Sequence, residues 1–92
     1  MAGSRPTPAD NARIDAAMAA HRTAIKAARR AYEMATATAK VELIRAQAVA
    51  TDDAARQAAR SAFGIAAAPA LATYRTAIAK ADTDRSAAIR SR

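Results

Sequence analysis

Thirty-two of the 92 residues are alanine, against only 16 larger apolar side chains. Alanine is the strongest helix former and adds almost nothing to a core. A chain built this way is expected to be helical nearly throughout and poor in interior. A lone domain of this length with so few large side chains is marginal, so burial against other chains is expected to complete it.

Twelve Arg and three Lys face six Asp and two Glu, a net charge of +7. Such a balance favours polyanionic partners, nucleic acid or an acidic protein among them, and it also solubilises an alanine-rich helix. The absence of cysteine excludes disulfides, thiolate metal sites and thiol catalysis. No apolar run follows the first eight residues, and no stretch reaches the ~20 apolar residues of a membrane span. The expected location is therefore cytoplasmic or in a virion, neither secreted nor transmembrane.

Residues 1–7 read as a flexible arm ahead of one helical domain over 8–92. Thr7, Pro8 and Asp10 form a helix start: Thr7 caps the Asp10 amide, Pro8 suits the first helical position, and Asp10 meets the positive dipole end. A helical pattern then runs to about Phe63 with neither proline nor glycine. Its apolar stripe follows Ile14, Met18, His21, Ile25, Ala28, Tyr32, Ala35, Ala39, Leu43, Ala46 and Ala50, in steps of four and three like a coiled coil. Thr51, Asp52 and Asp53 resemble a second helix start, so a break there is an open alternative to a continuous helix.

Gly64 and Pro69 supply the plainest punctuation, a glycine to end one helix and a proline to begin another. The expected fold is all-α: a helix over about 8–63, a turn over about 64–68, and a shorter return helix over about 69–90. Its stripe is Leu71, Tyr74, Ile78, Ala81, Arg85, Ala88 and Ile89. A helix over 8–63 would span about 84 Å and one over 69–89 about 31 Å, so the return helix would leave the stripe from Ile14 to Ala35 bare. A bare stripe marks an interface. Met34, Val41, Ile44 and Val49 lie off the main stripe, and a segment apolar on several sides is expected inside a bundle of three or more helices. A short repeat is also present: Met18 to Ile25 matches Leu71 to Ile78, 53 residues on, with Arg22 answering to Arg75.

The helix-interface candidates are Ile14, Met18, His21, Ile25, Tyr32, Met34, Val41, Leu43, Ile44, Leu71, Tyr74 and Ile78. Arg22, Lys26, Arg29 and Arg30 form the densest basic cluster, at the three- and four-residue spacing that joins neighbouring turns. They would track a phosphate backbone, or form a solvated flank in which Arg29 pairs with Glu33. A lone His21 cannot assemble a metal site and reads as a packing residue on the seam. Asp52 with Asp53, and Asp82 with Asp84, fit capping and surface pairing with Arg56, Lys80 and Arg85 better than paired-carboxylate chemistry. No catalytic residue, cofactor site, metal site or small-molecule substrate is inferred.

The segment from Thr51 to Arg75 resembles a helix-turn-helix through Ala59, Phe63, Gly64, Ile65 and Leu71. That family reads DNA with its second helix, which the resemblance would place after Pro69. The segment departs from the pattern at Arg60, where a small residue packs between the helices, at Ala70, where a branched apolar residue is usual, and at Pro69 itself. The leading expectation is a non-enzymatic assembly protein that oligomerises or docks onto a larger complex, a small phage structural or scaffolding-type component fitting that description. The alternative is a basic nucleic-acid-binding protein. A membrane-surface helix fits poorly, because its apolar face would be mostly alanine.

Overall fold

In the computed structural model, which describes residues 5–91, the chain is a hairpin of two long helices. Helix α1 spans Pro8–Val49 and helix α2 spans Asp53–Arg90, 42 and 38 residues. Of the expected arm, residues 1–4 lie outside the described residues. The helices run antiparallel: Arg13 reaches the Ile89 carbonyl at one end, His21 meets Asp82, and Tyr32 packs on Tyr74 further along. The molecule is a rod of 68 × 23 × 18 Å. Its radius of gyration is 20.5 Å, against about 12 Å for a compact domain of this length.

The start of α1 forms as its residues dictate. The Asp10 amide donates to Thr7 Oγ1 at 3.0 Å and the Thr7 amide donates back to Asp10 Oδ2 at 3.1 Å, a reciprocal capping box with Pro8 at the first helical position. The second start is at Asp52, whose carboxylate accepts the Ala55 amide at 2.7 Å. Between the helices, Ala50 is extended and its amide donates to the Gln47 carbonyl at 3.4 Å.

The turn therefore lies at residues 50–52, not at 64–68, and the break near Thr51 is real. Gly64 and Pro69 both sit inside α2. The physical reason is coverage. An interior glycine costs about 1 kcal/mol and an interior proline about 3 kcal/mol, whereas a turn at Gly64 would strip half of α1 of its packing partner. Two arms of nearly equal length cover the stripe from end to end. Ile14 and Ile25 are accordingly half-buried against the chain's own α2, which corrects the expectation that this stretch stands bare.

The seam also has a different period from the one expected. Nearly every residue of α1 that is not exposed falls at 10, 14, 17, 21, 25, 28, 32, 36, 39 or 43. From 10 to 43 these steps repeat as four, three, four: an 11-residue period, shared in α2 by 56, 67, 78 and 89, by 59, 70 and 81, and by 63, 74 and 85. That is 3.67 residues per turn, close to the 3.6 of a straight helix, so the faces stay opposed without the left-handed winding a heptad imposes. Three positions of the expected stripe are exposed: Met18 and Ala35, where Ala17 and Thr36 are buried instead, and Ala46.

Candidate functional site

The interior between the helices is made of small side chains. Among the described residues the buried ones are Ala17, Ala28, Thr36, Ala59, Ala67 and Ala81, and no side chain is fully enclosed. Thr36 is tolerated there because its hydroxyl donates to the Tyr32 carbonyl one turn back, at 2.8 Å. Of the interface candidates, Ile14, His21, Ile25, Tyr32, Leu43, Leu71, Tyr74 and Ile78 are half-buried at the seam. Tyr32 and Tyr74 meet with ring centroids 5.6 Å apart and planes tilted by 51°, a favourable edge-biased aromatic contact.

Met18, Met34, Val41 and Ile44 are not at the seam. Met34 is 73% exposed, Ile44 60%, and Val49 and Ile65 are each 78% exposed. The expectation of a segment enclosed by several helices is thus not met within this chain, because α2 covers only one side of α1. Alanine on both walls also leaves one furrow between the helices unfilled. It holds hollows of 260, 460 and 140 Å³ in succession, around Ala24, around Ala31 and Thr73, and around Ala46 and Phe63.

Charge is distributed unevenly. Asp53 pairs with Arg56 at 2.6 Å, Asp84 with Lys80 at 2.7 Å, and Asp82 with His21 at 2.7 Å and Arg85 at 3.8 Å, so these acids act as surface partners while Asp52 caps α2. Asp10 binds Arg13, whose guanidinium also donates to the Ile89 carbonyl and ties the first turn of α1 to the last turn of α2. Hydrogen bonds from Thr7, the backbone amide first, hold the Asp10 carboxyl below its ordinary value, with Arg13 adding to the effect.

Arg22, Lys26, Arg29 and Arg30 are all exposed, and among the described residues none has a carboxylate within ion-pair distance. The expected Arg29–Glu33 pair does not form. The Tyr32–Tyr74 contact brings exposed Arg75 of α2 to the height of Arg29 and Arg30, a member of the basic surface that sequence reasoning missed. Its signal lay in the repeat, where Arg75 matches Arg22. Among the described residues no cluster of three or more His, Cys, Asp or Glu is arranged to hold a metal ion.

Gly64 lies within uninterrupted helix, so the segment resembling a helix-turn-helix has no turn and presents no separate second helix. Among the described residues no helix is long and apolar enough to cross a membrane. No known protein family, curated protein or solved structure matches the chain.

Proposed function

We propose that this chain is a non-catalytic helical docking module, a preformed hairpin that completes its packing against another protein. One observation carries the reading: the hairpin keeps alanine and threonine inside and leaves Met34, Val41, Ile44, Val49 and Ile65 outside. A chain that needed only itself would place these five at the seam as well, beside Ile14, Tyr32 and Tyr74, where each stabilises by roughly 1.5–3 kcal/mol when buried. Exposed large side chains on a thin rod are supplied with burial by association. Thermal melting of the purified chain, with light scattering alongside, tests this. The expected result is a low, broad transition alone, raised by association as mass action requires. A sharp, concentration-independent melt of a monomer above the usual ~45–65 °C range would refute it.

A second reading is favoured by the unpaired basic surface. Arg22, Lys26, Arg29 and Arg30, with Arg75 at the same height, would bind a polyanion along the rod. Duplex DNA titrated over a salt series tests this surface. Replacing the four α1 residues by Gln is expected to flatten the logarithmic slope by about 0.9 for each phosphate that is no longer neutralised. An unchanged slope excludes it.

A further inference from the structure

The outward face of α1 carries a second pattern, distinct from the seam. Met34, Ala37, Val41, Ile44 and Ala48 follow one another in steps of three, four, three and four, and all five are exposed. Those steps are two heptads of a coiled-coil stripe, set on the side of α1 away from α2. The stripe itself holds no charge; its edges hold Lys40, Arg45 and Glu33, while a second acid, Glu42, lies farther round beside the furrow between the helices. At its N-terminal end Lys26 and Arg30 rim a shallow depression floored by Ala27, Ala31 and Met34.

We infer that this stripe docks an amphipathic helix from another protein, apolar on its contact face and acidic on both edges of that face. The inference rests on the docking reading above and names its site and partner class. Charge selects the occupant. In a parallel pairing of two copies, Lys40 falls opposite Arg45 of the partner chain. In the antiparallel register that sets Met34 against Ile44, Lys40 falls opposite itself. The register that would join Glu33 to Lys40 sets Val41 against Arg30. Each of these registers confronts like charges or buries an arginine in the apolar stripe, and the one that sets Val41 against Ile44 gives Lys40 and Arg45 only Gln47 and Thr38 as neighbours, whereas glutamates at the partner's edges meet Lys26, Lys40 and Arg45. Opposite charges at these edges set partner choice and orientation in coiled coils.

The test uses the full chain and two synthetic helical peptides of about 28 residues, both with leucine along the contact stripe. One carries glutamate at the edge positions and the other lysine. The glutamate peptide is expected to bind about tenfold or more tightly than the lysine peptide, consistent with several edge pairs acting together. V41D and I44D, both at exposed positions, are each expected to weaken that binding by about tenfold while circular dichroism of the chain is unchanged. The double variant Lys40→Glu with Arg45→Glu is expected to shift preference toward the lysine peptide, an outcome that general hydrophobic stickiness does not produce. Equal binding of both peptides, binding of neither, or indifference to V41D and I44D overturns the inference. Light scattering in the same titration separates the two levels. Self-association without peptide binding refutes the acidic partner and leaves the docking reading standing; a stable monomer that ignores both peptides refutes both.

Discussion

Gly64 and Pro69 carry the strongest helix-breaking chemistry in the chain, yet both lie inside α2, and this sets what each residue costs. A methyl group added at Gly64 would meet nothing within 4 Å. Gly64→Ala is therefore expected to raise stability by about 0.5–1 kcal/mol through backbone entropy alone, read as a rise of several degrees in melting temperature. A fall would mean that the position is closed by a neighbour. At the other end of the rod, Asp10 makes stability depend on pH in one direction. Its folded carboxyl is held below the ordinary 3.8, chiefly by the Thr7 backbone amide. Its contribution is therefore complete above the unfolded value and is lost as pH falls through the lowered folded one. Asp10→Ala is expected to melt earlier than the parent at neutral pH, with the gap closing as pH is taken below 3.8. A gap that persists unchanged in acid would assign the effect to something other than the ionised carboxylate.

At the scale of the helices, the seam is an 11-residue lattice of small side chains, and its tightness is a testable property. Ala28 and Ala67 are both buried between the arms. A leucine at either site must push the helices apart or leave its rotamer, at a cost of about 1–3 kcal/mol. Ala67→Leu is expected to lower the melting temperature, while the same change at exposed Ala58, away from the seam, is expected to be near neutral. Stabilisation by Ala67→Leu would show the seam to be underpacked. Much of this level was legible in the sequence. The all-helical content, the start at Thr7 to Asp10, the return helix and most seam residues follow from propensity, capping and spacing. The turn was not, because Gly64 and Pro69 are louder local signals than Asp52, and only the energy of pairing two arms outweighs them. Met18 and Ala35 were misplaced for a related reason: with alanine at a third of all positions, a heptad and an 11-residue stripe are both drawn through the same run. The basic surface was legible on α1 but not across to Arg75, since which residues of α2 share a height with α1 depends on where the chain turns.

For the molecule as a whole, the turn decides between a closed hairpin and a single long rod. The connection is three residues long, Ala50 to Asp52, without glycine, and what holds it is the Asp52 cap on Ala55 together with the extended backbone at Ala50 and Asp52. Were these residues to become helical, α1 and α2 would fuse into one rod. The seam would then be completed only by a second chain lying antiparallel, an exchange of identical elements between copies. Deleting residues 50–52 enforces that choice. The joined helix keeps its alanine-rich propensity, and without the turn the arms of one chain have no means of folding back on each other. The variant is expected to keep its helical circular dichroism, to double its mass in light scattering, and to melt at a temperature that rises with protein concentration. The parent hairpin closes the same seam within one chain, so it does not owe its seam to a second copy. A deletion variant that remains a helical monomer with the parent's radius of gyration would show that the chain folds back somewhere other than Thr51, and the pairing of Arg13 with Ile89 and of His21 with Asp82 would have to be abandoned.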